Sequence, residues 1–148
     1  MGRGRMAGLV VGGVAAVSLA SAVALAAPAG ASGISLKVSP AKGLANNQVV
    51  KVSGSGLPVT TNGKKNSFFL DECNSAVTGQ LSVADESHCD VSVAKALKVS
   101  KKGSFTTTFK VATGTVGDGS CGVAGHLTCV IGVGDTGGQG TVASITFK

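Results

Sequence analysis

Side chains able to carry out catalytic chemistry are few in this sequence. Its only histidines are His88 and His126, and each lies close to a cysteine in the chain. Hydrolysis by a serine nucleophile needs a serine, a histidine and a carboxylate that converge in space. No nucleophile elbow or comparable motif accompanies these two histidines. We therefore predict that the protein is not an enzyme.

A short run of acidic residues around His88 could in principle bind a metal ion. Asp85, Glu86, His88 and Asp90 follow one another closely, and carboxylate and imidazole groups are common metal ligands. A run of this kind is more often a solvated loop, and a disulfide at Cys89 would hold such a loop in place. The pattern therefore favours a solvated loop, and we predict no metal site.

The four cysteines are Cys73, Cys89, Cys121 and Cys129. An even number of cysteines in a small exported domain predicts two disulfides. Four cysteines allow three pairings, of which the local one, between sequence neighbours, is the simplest. A zinc site is the alternative, but these spacings lack the C-x-x-C pattern and an oxidising compartment disfavours zinc binding.

The first 31 residues have the features of a secretory signal peptide. Arg3 and Arg5 make the start basic, and Ala7–Ala27 is an uninterrupted run of small and apolar residues. Ala29–Ala31 then supplies a small-x-small cleavage site, as signal peptides require. A membrane anchor is the alternative, because about 20 apolar residues can span a bilayer. We expect cleavage after Ala31, which divides the chain into a signal peptide, residues 1–31, and an exported domain, residues 32–148.

The exported domain is mildly basic. Without Arg3 and Arg5 it has 11 lysines against seven acidic residues, a net charge of +4, and no arginine. Arginine is the side chain that forms paired hydrogen bonds with phosphates and guanines, and five phenylalanines are the only aromatic residues. Direct reading of nucleic acid bases is therefore not expected. Two lysine pairs, Lys64–Lys65 and Lys101–Lys102, lie at predicted turns, where they promote solubility or contact an anionic partner.

Apolar and polar residues alternate along the exported domain with a period of two, which is typical of β-strands. Ser100–Gly103, between two such runs, is a hairpin signal, with glycine placed for a left-handed backbone. Phe105 and Phe109 are four residues apart on one strand, so we expect both to face the core. The predicted strands are Ile34–Val38, Val50–Ser53, Phe68–Leu70, Ala96–Val99, Phe105–Val111, Leu127–Val133 and Val142–Phe147.

Six or seven short strands with turns between them predict a Greek-key β-sandwich, because each half-buried sheet must cover its apolar face with another sheet. In a sandwich of this size, loops held by disulfides at one end can wall a cleft for an apolar ligand. The segments around those loops are rich in small residues, such as Gly122–Gly125 and Gly132–Asp135. Small residues leave room for a ligand or for close backbone contacts.

Several segments resemble one known family. Val38–Leu44, followed by Val49–Leu57, resembles the opening of neocarzinostatin-type apoproteins, the carriers of enediyne antibiotics in actinomycetes. Cys129–Asp135 and Gly140–Phe147 resemble the last two strands of that family, and the order of the cysteines agrees. The resemblance implies an all-β, immunoglobulin-like, seven-stranded Greek-key β-sandwich or barrel with two disulfides. Their expected pairing is Cys73 with Cys89 and Cys121 with Cys129.

The resemblance also implies a function. Family members hold a small apolar chromophore of the enediyne type in a hydrophobic end cleft, without a covalent bond, and release it. The freed chromophore damages DNA, so DNA would be a partner only through the ligand. In this chain the cleft floor and walls would fall at Phe69 to Glu72, Ser75 and Val130 to Gly134. The ligand-binding residues implied are Phe69, Asp71, Ser75, Val130, Gly132 and Gly134.

We therefore expect a secreted, monomeric, extracellular carrier with no membrane attachment after signal cleavage and with antibacterial activity that comes from the released ligand. The alternative is a stand-alone secreted, immunoglobulin-like interaction domain without a chromophore. A carrier needs an open cleft, whereas an interaction domain would have a filled one. The absence of tryptophan and tyrosine removes most stacking contacts, so ligand binding should be weak and promiscuous.

Overall fold

The computed structural model of the protein describes residues 33–137 and 140–148. The predicted signal peptide and its cleavage site after Ala31 lie outside the described residues. Two short 3₁₀ helices, Val83–His88 and Val91–Val93, are the helical elements of the described part of the chain. The strands are β1 Ser35–Ser39, β2 Val49–Ser55, β3 Thr60–Thr61, β4 Lys64–Lys65, β5 Phe68–Cys73, β6 Lys95–Ala96, β7 Phe105–Lys110, β8 Gly114–Val116, β9 Gly119–Cys121, β10 Thr128–Asp135 and β11 Gly140–Thr146.

Seven of these strands form the predicted β-sandwich. One sheet has three strands in the order β1-β2-β7, and the other has four in the order β11-β10-β5-β6. The remaining strands form two separate two-stranded ribbons, β3-β4 and β8-β9. The all-β, seven-stranded fold with two disulfides is therefore confirmed. Within the described residues, no helix is long and apolar enough to cross a bilayer.

The core lies between the inner faces of the two sheets. Phe105 and Phe109 on β7 are 6% and 5% exposed, while Thr106 and Thr108 between them are exposed. This alternation confirms that the two phenylalanines share the core face. They pack in one cluster with residues of the opposite sheet, including Ile131 on β10. Thr106 and Thr108 face solvent because successive strand residues point to opposite faces.

The hairpin predicted around Ser100–Gly103 is wrong in its pairing but right in its turn. Gly103 has a φ of 73°, and a Cβ there would lie 2.3 Å from the carbonyl oxygen of Leu57, so only glycine fits. However, β6 pairs with β5 and β7 pairs with β2, in different sheets. The chain crosses between sheets here because Leu97 and Val99 pack against the core instead of continuing a strand beside β7.

Both disulfides have the local pairing. Cys73 bonds to Cys89 across a separation of 16 residues, and Cys121 bonds to Cys129 across a separation of eight. The second disulfide joins β9 to β10 and lies in the main core. The first closes a long loop beside β5, and this loop covers part of the outer surface of the four-stranded sheet.

Candidate functional site

Five of the six predicted ligand-binding residues share one face of the four-stranded sheet. Phe69 and Asp71 on β5 are paired with Gly134 and Gly132 on β10, and Cys73 is paired with Val130. Cross-strand partners point to the same side of a sheet, and the residues between them, such as Ile131, face the core. The five residues therefore lie on the outer face of this sheet, which turns away from the three-stranded sheet.

The loop of residues 74–88 is held against this outer face. The disulfide between Cys73 and Cys89 closes its base, next to a hydrogen bond of 2.9 Å from the backbone N–H of Asn74 to the carbonyl of His88. Away from this base, the carbonyl of Gly79 accepts a hydrogen bond of 3.4 Å from the backbone N–H of Val142 on β11. The loop thus crosses over the sheet and forms one wall of a cavity.

The cavity has a volume of about 220 Å³ and lies between this wall and the sheet. Phe69, Asp71 and Gly134 line it from the sheet, and the loop contributes Leu81 and Glu86. Its rim is apolar: Val83 and Val91, from the two 3₁₀ helices, also line it and are 53% and 59% exposed. The arrangement can hold a small apolar molecule with one side open to solvent.

Leu81 fills part of the predicted cleft. A Cβ at Gly132 would lie 2.9 Å from Cδ2 of Leu81, so this leucine rests directly on the glycine. Val130 is 5% exposed and packs with Val77 and Leu81 in a second, smaller apolar cluster. Gly132 and Val130 are therefore covered by the protein's own side chains and do not line the cavity. Three predicted residues, Phe69, Asp71 and Gly134, remain accessible from it.

Ser75 lies elsewhere. It is exposed beside His88 and Asp118 in a separate shallow depression. There, Oδ1 of Asp118 accepts a hydrogen bond of 2.9 Å from Nδ2 of the buried Asn74 and lies 2.8 Å from Nδ1 of His88. The hydrogen bond with His88 lowers the pKa of Asp118, and the one with Asn74 lowers it further. This network attaches the loop to the β8-β9 ribbon and keeps Ser75 out of the cavity.

The implied span from Phe69 to Glu72 is split between the two faces of β5. Leu70 and Glu72 point inward, with exposures of 0% and 1%. Oε2 of Glu72 accepts a hydrogen bond of 2.8 Å from the backbone N–H of Ala112, and Oε1 lies 3.4 Å from Sγ of Cys121. Burial raises the pKa of Glu72 to about 7, although the hydrogen bond from Ala112 lowers it, and the nearby charge of Asp90 contributes to the rise. Glu72 therefore belongs to the core and not to the cleft.

The cavity is negatively charged at its inner end. Burial, together with the charges of Glu86 and Asp90, raises the pKa of Asp71 to about 6. The Oδ1 atom of Asp71 is buried and has no hydrogen-bond partner among the described residues. A ligand that brings a hydrogen-bond donor or a positive charge to this atom would satisfy it, because a buried polar atom without a partner is costly.

Sequence reasoning missed the loop residues that complete the cavity, Leu81, Val83, Glu86 and Val91. One local signal was available: Ser82 is followed three residues later by Asp85, a spacing that resembles a helix capping box. Asp85 Oδ2 indeed accepts hydrogen bonds from the backbone N–H and the hydroxyl of Ser82, at 2.9 and 2.6 Å. The described residues contain no group of three or more histidine, cysteine or acidic side chains placed to hold a metal ion.

Comparison with known proteins identifies the relatives of this domain. The family model described as the neocarzinostatin family matches residues 36–147. The solved structure of macromomycin is 25% identical, has a TM-score of 0.57, and is matched over 78% of this chain and 99% of its own. The solution structure of apokedarcidin is 26% identical, with a TM-score of 0.51 and the same coverage of 78% and 99%. No curated protein matches the chain.

Proposed function

The chain belongs to the neocarzinostatin family, and on that premise we propose that it is a secreted apoprotein that holds a small apolar ligand on the outer face of its four-stranded sheet. Proteins of this family are carriers of enediyne chromophores and not enzymes. The observation that carries the proposal is the cavity between the sheet and the disulfide-closed loop, lined by Phe69, Asp71 and Gly134. Antibacterial, DNA-damaging activity would belong to the released ligand and not to the protein.

The charges around the cavity favour a ligand with a positively charged group. Asp71 and Glu86 line the cavity, and Asp90 is close enough to raise the pKa of Asp71. No lysine is among the residues that line it. Above pH 6 the ionised Asp71 would attract a cation, whereas below pH 6 it is protonated and neutral. Binding of a cationic ligand should therefore strengthen as the pH rises through about 6, the pKa of Asp71.

Apolar burial has to supply most of the affinity. A ligand that buries about 200–300 Å² of apolar surface gains roughly 5–8 kcal/mol at about 25 cal/mol per Å², before the costs of association. Phe69 is the one aromatic side chain in the cavity lining, so stacking adds little. Even before those costs, this gain corresponds to dissociation constants between about 200 μM and about 1 μM. Binding should therefore be micromolar at its tightest, with many flat apolar molecules recognised.

Enlarging Gly134 should block the cavity. We expect the protein to bind a flat, cationic, environment-sensitive dye with saturation, and Gly134→Phe to weaken this binding at least about tenfold, because the new ring would occupy the cavity next to Phe69. Leu81→Ala should have the opposite effect, because it removes the side chain that fills the cleft above Gly132. Fluorescence titration of the three proteins at pH 5 and pH 7.5 would measure both effects.

Thr128→Phe is the matched control for Gly134→Phe. Thr128 is exposed on the same face of the same strand, six residues away and outside the cavity, so adding a phenylalanine there should leave dye binding unchanged. Circular dichroism would establish that each variant remains folded. No saturable binding by the parent protein, or equal binding by the parent and Gly134→Phe, would contradict the carrier function.

One observation favours the second candidate, a secreted interaction domain without a chromophore. At about 220 Å³ the cavity is smaller than the roughly 300–1,000 Å³ typical of ligand sites, because Leu81 occupies the floor above Gly132. If this leucine stays in place, the outer face of the sheet is a filled surface. The dye titration distinguishes the two candidates. An interaction domain would not bind the dye, either as the parent protein or as the Leu81→Ala variant.

Secretion predicts a shortened protein. We expect the form recovered from a culture supernatant to begin at Ser32, because the small-x-small sequence Ala29–Ala31 is the cleavage signal. Intact-mass analysis would measure this directly. A secreted protein that retains Arg3 and Arg5 would contradict the assignment of residues 1–31 as a signal peptide.

A further inference from the structure

The charges of this domain are separated between its two sheets. All seven acidic residues lie outside the three-stranded sheet, on β5, on β10 or in the loops and ribbons. The outer face of the three-stranded sheet instead has three exposed lysines, one on each strand: Lys37 on β1, Lys51 on β2 and Lys110 on β7. No lysine in the described part of the chain forms a salt bridge with a carboxylate. We call this face, defined by Lys37, Lys51 and Lys110, the basic face.

The three lysines form a diagonal row across the sheet. Lys37 is paired with Ser53 and Lys51 with Ser39, so the two lysines are diagonal neighbours. Lys51 is paired with Thr108, and Lys110 with Val49, so Lys51 and Lys110 are diagonal neighbours as well. Such neighbours lie about 7–8 Å apart. The three lysines are therefore attached at regular intervals across the sheet.

Hydroxyl groups fill the space around this row. Ser35, Ser53 and Thr106 line a groove of about 750 Å³ next to Lys37. Lys98 and Ser100 line the same groove from the segment that crosses between the sheets. Lysine ammonium groups and serine or threonine hydroxyls are the side chains that commonly contact phosphate oxygens in nucleic acid complexes. Nothing acidic lines this groove.

We propose that the basic face binds the phosphate backbone of double-stranded DNA without sequence preference. The protein has no arginine after Arg5 and no tryptophan or tyrosine, so it lacks the groups that read bases, but backbone contacts need only positive charge and hydrogen-bond donors. This direct contact differs from the sequence-based expectation that DNA is reached only through the ligand. It does not depend on the cavity being occupied.

The composition of the basic face favours DNA over a membrane surface. Proteins that lie on a membrane combine cationic residues with apolar side chains that enter the lipid. The outward residues of β1, β2 and β7 are instead lysine, serine and threonine, with Val49 as the one exposed apolar residue at the end of β2. The cavity lies on the outer face of the opposite sheet, so DNA bound to the basic face leaves it open.

The test is a comparison of two triple variants that remove the same charge. We expect the protein to bind a short fluorescent DNA duplex of mixed sequence, with affinity that falls steeply between about 25 and 200 mM salt. Lys37→Gln/Lys51→Gln/Lys110→Gln should weaken binding at least about tenfold and reduce the slope of log K against log salt concentration by about three, one per lysine. Fluorescence anisotropy at several salt concentrations gives both quantities.

The control variant is Lys64→Gln/Lys65→Gln/Lys148→Gln, which removes three exposed lysines outside the basic face and should change the slope by less than about one. All six lysines are exposed, so both variants should melt at nearly the temperature of the parent. Any of three results would overturn the proposal. The two variants could lose DNA affinity equally, or the parent protein could fail to bind DNA at about 25 mM salt. The third result is tighter binding to phosphatidylglycerol vesicles than to DNA, with the same dependence on Lys37, Lys51 and Lys110.

Discussion

Replacing Phe109 with alanine is expected to lower the free energy of unfolding by about 3–5 kcal/mol. Phe109 is 5% exposed and is paired with the fully buried Val50 on β2. It belongs to the main cluster between the sheets, together with Phe105 and Ile131. Removing the ring takes away its apolar contacts and leaves a cavity that a close-packed core can only partly collapse.

This loss is large relative to the total stability of a domain of this size, about 5–15 kcal/mol. Urea denaturation followed by circular dichroism would measure it. Thr108→Ala is the matched control, because Thr108 is the adjacent residue on β7 and is exposed on the opposite face. That change should alter stability by no more than about 0.5 kcal/mol. Equal effects of the two substitutions would mean that β7 does not present Phe109 to the core.

Replacing Glu72 with glutamine is expected to change how stability depends on pH. Glu72 is 1% exposed, and burial raises its pKa from 4.5 to about 7. A carboxyl whose pKa is higher in the folded state favours folding when it is protonated. Its contribution is therefore fully present below pH 4.5, is lost as the pH rises towards 7, and stays lost above pH 7. Each unit of pKa change corresponds to about 1.4 kcal/mol.

Glu72→Gln removes this dependence because the amide stays neutral at every pH and its oxygen can still accept the hydrogen bond from Ala112. We expect the variant and the parent to have similar stability at pH 4.5, and the variant to be more stable by roughly 3 kcal/mol at pH 8.5. The raised pKa of Asp71 affects both proteins equally, so the difference between them isolates Glu72. Urea unfolding at four or five pH values would measure this difference.

Glu86→Gln is the control for this experiment, since Glu86 is the only other glutamate and is exposed. It removes the same charge without removing a buried one, so its effect on the pH dependence should be much smaller. A stability difference between Glu72→Gln and the parent that is constant from pH 4.5 to 8.5 would contradict the buried, titrating carboxylate. A destabilised variant at every pH would indicate that the geometry of the Ala112 hydrogen bond matters more than the charge.

Glu72 also illustrates a limit of reasoning from sequence. The chain around it reads Phe68-Phe69-Leu70-Asp71-Glu72-Cys73, with two carboxylates side by side that give no sign of their different environments. The alternation of β5 sends Asp71 to the cavity and Glu72 to the core. Which of the two faces is covered depends on the opposite sheet, and that information is not local to the strand.

Features that depend on residues close together in the chain could be predicted from the sequence. A period of two placed Phe105 and Phe109 on one buried face, because strand geometry requires alternation. The even number of cysteines predicted two disulfides, and the family resemblance implied the local pairing that the structure has. The placement of Phe69, Asp71 and Gly134 in one cleft came from the family resemblance alone, since these residues lie on different strands.

Contacts between distant parts of the chain determine what covers that cleft and where the chain crosses between sheets. Leu81 rests on Gly132 because a disulfide and long-range hydrogen bonds hold its loop over the sheet, whereas Ser75 in the same loop is drawn to the Asp118 network. The predicted hairpin failed because the packing of Leu97 and Val99 against the core outweighed a local turn signal. Loop positions and strand partners are set by contacts between residues distant in the chain, and the free energy of such contacts is absent from any local pattern.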